Sequence, residues 1–167
     1  GVSFDVFPGE TLGIVGESGS GKSTIGRAVL QLLKPTAGRV AWLGENIAGF
    51  TRAKMKPYRR QMQIVFQDPL ASLNPRMTAG DIIAEPLDTF EPGLTALERK
   101  RLVQEMMDKV GLLPQMINRY PHEFSGGQNQ RIGIARAMIL KPKLIVADEP
   151  VSSLDVSIRA QIINLLA

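Results

Sequence analysis

The sequence predicts an α/β fold: a core with a parallel sheet, antiparallel strands at its N-terminus and an inserted helical sub-domain. Three observations carry that prediction. Short apolar runs of the kind buried in parallel sheets occur at residues 11–15, 62–66 and 143–147. Residues 24–33 and 131–140 carry apolar side chains at helical spacing, just after the first run and just before the last. Between the second and third runs, Asn74-Pro75, Glu85-Pro86, Glu91-Pro92-Gly93 and Leu113-Pro114 break residues 70–125 into short helices and connections.

Length and composition bound the remaining choices. With 167 residues and 44% hydrophobic content, the chain suits one domain with a real core rather than two independent ones. Residues 1–167 are taken as that domain, with about 70–135 as the helical sub-domain. The formal charge of +4 is small and spread along the chain, so bound phosphates and ordinary solvated surface account for it. The absence of cysteine excludes disulfides and thiolate metal sites and is compatible with a reducing cytosol. No stretch approaches the roughly 20 apolar residues of a membrane span. No basic segment followed by an apolar one opens the chain. Membrane association would therefore come through a partner.

Taken in order, residues 2–6 alternate and Pro8-Gly9 punctuates, so residues 2–7 are expected to turn back as a strand pair with residues 11–15. A helix is expected over 22–33, ending before Lys34-Pro35, where proline disfavours helix in its predecessor. A strand follows over 39–43. Trp42, the only tryptophan, reads as a packing residue rather than a base-stacking platform. Arg52, Lys54, Lys56, Arg59 and Arg60 read as a solvated basic face. The strand over 62–66 ends at Gln67-Asp68-Pro69. The clearest helix of the insertion is 95–110, with Thr95 as N-cap, Glu98 at the capping-box position and Leu102, Met106 and Val110 on one face. Met106 and Met107 read as core. Ser125-Gly126-Gly127-Gln128 precedes a helix over 131–140. The strand over 143–147 closes on Asp148-Glu149-Pro150, and a last helix starts at 156. There is no internal repeat or low-complexity tract.

The chemistry begins at Gly16-Glu17-Ser18-Gly19-Ser20-Gly21-Lys22-Ser23-Thr24, a complete phosphate-binding P-loop between a strand candidate and a helix candidate. The β and γ phosphates of a nucleotide are met there by converging backbone N–H groups, a helix N-terminus and the Lys22 ammonium. Gly16, Gly19 and Gly21 let the backbone approach without a Cβ in the way. Ser23 offers its hydroxyl to Mg²⁺. Such a loop needs an acidic element at the end of a neighbouring strand, and residues 144–149 supply it. Asp148 would hold Mg²⁺ through its water shell, and Glu149 would polarise the water that attacks the γ-phosphate. The core is thus that of a P-loop NTPase. The competing reading of Asp148-Glu149 as a surface pair fits poorly at the end of four apolar residues. Ser125-Gly126-Gly127 reads as a helix N-cap and flexible turn.

Gly16 to Thr24, Gln67, Phe124-Ser125-Gly126-Gly127-Gln128, residues 144–149 and Ser152-Ser153-Leu154-Asp155 together resemble the motifs of ABC ATPases, in that family's order. They correspond to its Walker A, Q-loop, signature, Walker B and D-loop, and the resemblance spans essentially the whole chain. Residues 66–78 and 119–128 further resemble the ATP-binding subunits of bacterial oligopeptide and dipeptide importers.

That resemblance implies a subunit that binds and hydrolyses ATP with Mg²⁺, powering peptide import through transmembrane permease subunits. It implies a head-to-tail pair with a second ABC ATPase subunit, homo- or heterodimeric, in which each ATP lies between one P-loop and the opposite Ser125-Gly126-Gly127-Gln128. Gln67 would join the metal and attacking water to the helical insertion, with the residues after it meeting the membrane subunits, and Asp155 would couple the two sites. An extracytoplasmic peptide-binding protein would act indirectly, and the subunit would sit peripherally at the cytoplasmic face of the membrane. No nucleic acid is expected. His122, the only histidine, reads as structural. Phe124 stands where the family usually has leucine, and Asn129 where it often has a basic or small residue; neither removes a phosphate donor. The family's adenine-stacking aromatic and switch histidine fall outside this stretch, so the resemblance implies a core fragment of a longer subunit. Alternatives are a non-transport ABC ATPase acting on DNA or ribosomes, and a module that binds nucleotide without turnover.

Overall fold

A computed structural model of the chain describes residues 1–150, 154 and 156–166. Its centre is a parallel strand pair, β3 (Met62–Val65) beside β4 (Leu144–Ala147), registered Met62 to Leu144 and Val65 to Ala147. Backbone bonds from Lys143 N to Gln61 O (2.8 Å) and Asp148 N to Val65 O (3.0 Å) extend the pairing at both ends. β4 is half-buried along most of its length rather than fully buried.

The glycine loop leads into α1 (Lys22–Val29), which is shorter than the expected helix. Gln31 stops it: its backbone turns into the left-handed region, and its side-chain amide donates to Ala28 O (2.8 Å). Its Oε1 also accepts from Gly49 N (3.1 Å), so a distant loop fixes the helix end. A hairpin follows, β1 (Ala41–Trp42) with β2 (Glu45–Asn46), turning at Leu43 and Gly44, both at positive φ (48° and 89°). A leucine at positive φ gives no turn signal in the sequence, so β2 is a strand that periodicity misses.

The basic segment is itself a helix, α2 (Arg52–Gln61), capped where Thr51 Oγ1 accepts from Lys54 N. Arg52, Lys54, Lys56 and Arg60 are exposed, in keeping with a solvated face, while Met55 is buried. Pro57 inside the helix and the near-absence of apolar residues conceal its period. Met55, Leu30, Ile47 and Met62 form a small apolar cluster that also receives Trp42, a packing residue as expected.

The main core lies among the helices between the two central strands. These are α3 (Pro69–Ser72), α4 (Ala79–Phe90), α5 (Ala96–Lys109) and α6 (Gly126–Met138), with α7 (Val156–Leu166) after β4. Ile82 and Ile83 of α4, Val103 and Met107 of α5, and Ile132 and Ile134 of α6 are buried together. The capping box at Thr95 and Glu98 forms as expected, and Met106 and Met107 are core.

The expected N-terminal antiparallel strands do not form a ladder. Glu10 N donates to Phe7 O (3.0 Å) and Phe7 N to Glu10 Oε2 (2.7 Å), closing the Pro8-Gly9 turn, but the flanking segments stay unpaired. Phe7 and Val15 are exposed. Two strands with no apolar layer against either face lack the burial that would hold a hairpin together. Residues 11–15 likewise join neither edge of the β3–β4 pair.

Candidate functional site

The glycine loop is open and preorganised. Ser20 N donates to Glu17 O (3.2 Å) and Ile25 N to Gly21 O (3.0 Å), closing the turn that starts α1. Gly19 and Gly21 have φ of 80° and 98°, and a Cβ on either would meet nothing within 4 Å. Those two glycines are therefore required by backbone conformation, not crowding. Gly16 is different, since a Cβ there would lie 2.8 Å from Ser20 Oγ. The Lys22 ammonium donates to Gly16 O and Glu17 O, both at 2.8 Å, and so spans the mouth of the loop. Ser23 is half-buried in the first turn of α1, and Thr24 is exposed.

Helix α1 rests on β4. A Cβ at Gly26 would stand 2.8 Å from Val146 Cγ1, so this glycine permits the close approach that brings the loop's helix against the strand ending in the acidic pair. Asp148 follows β4 directly and is half-buried, its N–H bound to Val65 O. Glu149 is exposed and sits at φ 47°, in the left-handed region that non-glycine residues rarely adopt. Across the strand pair, Gln67 Nε2 donates to Glu149 Oε2 at 3.0 Å.

The third element is the start of α6. Ser125 is its N-cap: its Oγ accepts from Gln128 N (3.2 Å), while Gln128 Oε1 accepts from Ser125 N (2.9 Å), a complete capping box. The helix thus begins at Gly126, earlier than apolar periodicity indicates, and ends at Met138. Ser125 and Gly126 are exposed, and nothing lies within 4 Å of a Cβ on Gly126, so the helix N-terminus is open to an approaching anion. Phe124 packs into the core behind it.

The remaining expected residues are simply located. His122 is exposed, stacked on Tyr120 with ring centroids 5.9 Å apart. Asp155 lies outside the described residues. Sequence reasoning missed two polar residues of α6, Asn129 and Gln130, each 1% exposed. Asn129 Nδ2 donates to Pro121 O (3.0 Å) and, more weakly, Phe124 O (3.4 Å). Gln130 Nε2 donates to Phe66 O (3.3 Å) and Pro150 O (3.0 Å). Both stand in an unbroken polar run from Gln128 to Arg131, which hides their inward direction.

The donors available to a metal are oxygens: the Ser23 hydroxyl, the Asp148 carboxylate and the Gln67 amide. Among the described residues no cluster of three or more His, Cys, Asp or Glu could hold one. A sparse oxygen set fits Mg²⁺, which keeps several waters and takes substrate phosphates as ligands. Alongside β3 and Phe66 lies a cleft of about 380 Å³ between α2 and β3 on one side and α3, α4 and α6 on the other, lined by Arg59, Phe66, Glu85, Phe90 and Arg136 among others. Arg136 is largely buried there, with its guanidinium donating to Ser72 O (2.7 Å); desolvation holds its pKa below the usual arginine value, partly offset by Glu85.

A glycine loop on a helix that approaches a parallel strand pair, with acidic residues at one strand end, is the arrangement of a P-loop α/β core. The chain belongs to the ABC transporter family, whose sequence profile matches residues 1–152. It is 62% identical over 166 residues to the oligopeptide transport ATP-binding protein OppF of Salmonella typhimurium, covering 99% of this chain and 50% of that protein. It is 57% identical to OppF of Bacillus subtilis, covering 99% of this chain and 54% of that one. The chain therefore spans about half the length of these curated relatives. Among solved structures, the dimeric ATP-binding cassette MJ0796, in a post-hydrolysis state bound to ADP and Pi, matches with a TM-score of 0.91 at 33% identity, over 98% of this chain and 70% of that one.

Proposed function

We propose that this chain is the catalytic core of an ATP-binding and ATP-hydrolysing subunit that powers peptide import through partner membrane subunits. The observation that carries the ATPase reading is the Gln67–Glu149 hydrogen bond, 3.0 Å long, at the adjoining ends of β3 and β4, the second of which the P-loop helix approaches at Gly26. In this reading Gly16 to Thr24 receive the nucleotide phosphates, and Lys22 exchanges its two carbonyl partners for phosphate oxygens. Glu149 accepts the proton of the water that attacks the γ-phosphate, and Gln67 keeps that carboxylate oriented. Ser23, Asp148 and Gln67 are the residues that would hold Mg²⁺, which supplies charge neutralisation at the phosphates.

The peptide cargo is supported by the OppF relatives, and pairing with a second ATPase subunit by the dimeric MJ0796. Ser125-Gly126-Gly127-Gln128 then serve the ATP held by that second subunit, and Asp155 helps to couple the two sites. Residues 70–135 act as the helical sub-domain, and the residues just after Gln67 meet the permease subunits. No helix among the described residues is long and apolar enough to cross a membrane. In this reading, attachment to the cytoplasmic face goes through the permease partners. The extracytoplasmic peptide-binding protein acts only through them.

The test uses the full-length subunit with its partners. Glu149→Gln is expected to retain ATP and lose turnover; unchanged turnover would refute the role given to Glu149. Co-purification with membrane subunits is expected, and recovery with DNA or ribosomes instead would overturn the transport reading.

A further inference from the structure

We infer that Gln130 is a positioning residue for ATP hydrolysis, clamping the two backbone carbonyls that flank Gln67 and Glu149. The inference rests on the proposed roles of that pair.

Gln130 Nε2 donates to Phe66 O at 3.3 Å and to Pro150 O at 3.0 Å. Phe66 immediately precedes Gln67, and Pro150 immediately follows Glu149. One buried NH₂ group therefore ties together the exits of both central strands, just where the 3.0 Å contact between Gln67 and Glu149 forms. With two carbonyls as partners, the orientation of the amide is fixed by chemistry: only the NH₂ end can serve both. Its other end, Oε1, is buried with no hydrogen-bond partner among the described residues. An apolar side chain of similar size would avoid that unmet acceptor, so the amide is poorly explained by packing alone. The clamp also explains how Glu149 keeps φ 47°, since a strained backbone persists only where its surroundings over-determine it.

The neighbouring Asn129 makes α6 a junction. It holds the Pro121 and Phe124 carbonyls, and hence the approach to the Ser125 cap, one residue before Gln130 holds the carbonyls beside the reactive pair. The helix whose exposed end faces another subunit's nucleotide in the proposed function is thus bonded from its buried side to the carbonyls of Phe66 and Pro150, the immediate neighbours of this chain's own Gln67 and Glu149.

The experiment measures ATPase kinetics of the full-length subunit, assembled with its partners, for Gln130→Met, Gln130→Glu and Glu149→Gln. Gln130→Met keeps the bulk and removes both donors; kcat is expected to fall about 10- to 100-fold with KM for ATP changed less than about threefold, as a misplaced reacting group requires. Gln130→Glu can donate only when its carboxyl is protonated, which burial beside two carbonyls favours. Its kcat relative to the parent is therefore expected to rise severalfold from about pH 8.5 to about pH 6. A Gln130→Met kcat within about threefold of the parent overturns the inference, as does a loss appearing in KM alone. If Gln130→Met does not fold, a pH-independent Gln130→Glu ratio overturns it instead. Glu149→Gln separates the two levels: if it keeps turnover, the reading of the reactive pair fails; if it loses turnover while the Gln130 variants keep theirs, only the clamp fails.

Discussion

Gln67 and Glu149 are 82 residues apart in the chain, yet the amide of one donates to the carboxylate of the other at 3.0 Å. Parallel pairing of β3 with β4 sets that meeting, because Val65 opposite Ala147 places the two strand exits side by side. Groups that act as a unit give strongly non-additive losses. Gln67→Ala is therefore expected to cost about 10- to 100-fold in kcat on its own and little more in a Glu149→Gln background. Steady-state ATPase assays of the two single variants and the double variant check this; additive losses would show that the residues act independently.

Lys22 bridges Gly16 O and Glu17 O at the mouth of an exposed loop. Those carbonyls can bond water if the ammonium is removed, so Lys22→Ala should change thermal stability little. Nucleotide binding is a different matter, since a charge-assisted bond contributes about 1.5–3 kcal/mol. Calorimetric titration is expected to give a Kd weakened about 10- to 100-fold, with Tm near that of the parent.

Elements that announce themselves through local chemistry are legible in the sequence. The Thr95–Glu98 box, the buried Met106 and Met107, β3 and β4 all follow from capping residues or short apolar runs. The loop glycines and strand-end carboxylates could be named because each has a physical reason to be where it is, whereas the roles of Gln67, Asp155 and the Ser125–Gln128 segment came from the family resemblance. What stayed hidden depends on contacts distant in sequence. Gln31 ends α1 through a bond to Gly49, Leu43 turns a hairpin at positive φ, and Pro57 sits in a helix that Met55 anchors. Residues 2–7 and 11–15 show the reverse case: their pattern predicts strands, but a pattern yields a ladder only where the apolar face finds a partner. Asn129 and Gln130 were illegible because burial of a polar side chain is decided by carbonyls that only the fold brings within reach.

Thr95 and Ser125 cap helices α5 and α6 with the same box geometry, but only the second lies in the segment read as an anion site. Replacing either by alanine is expected to cost about 1 kcal/mol in denaturant unfolding. Thr95→Ala should leave ATP turnover of the assembled full-length protein unchanged, while Ser125→Ala should lower it. Equal turnover in both variants would reduce Ser125 to a helix cap.

Arg99 of α5 grips Asp88 of α4 with two bonds, Nε to Oδ1 at 2.7 Å and Nη2 to Oδ2 at 2.9 Å, and reaches Asp81 at 3.4 Å. Hydrogen bonding to that guanidinium, opposed in part by desolvation, lowers the Asp88 pKa from its ordinary 3.8. The same pair raises Arg99, which stays charged throughout the acid range, so Asp88 is the partner that titrates there. A carboxylate with a depressed folded pKa stabilises fully above its unfolded pKa, and its contribution disappears as pH falls through the folded value. Because the Asp88 side chain is 53% exposed, solvent limits the pair to about 0.5–1 kcal/mol. Asp88→Asn is thus expected to unfold slightly more easily than the parent at neutral pH, with the difference shrinking below about pH 4 and vanishing in stronger acid. Urea unfolding of both proteins across that range checks it, and a gap that persists into strong acid would place the effect in packing rather than charge.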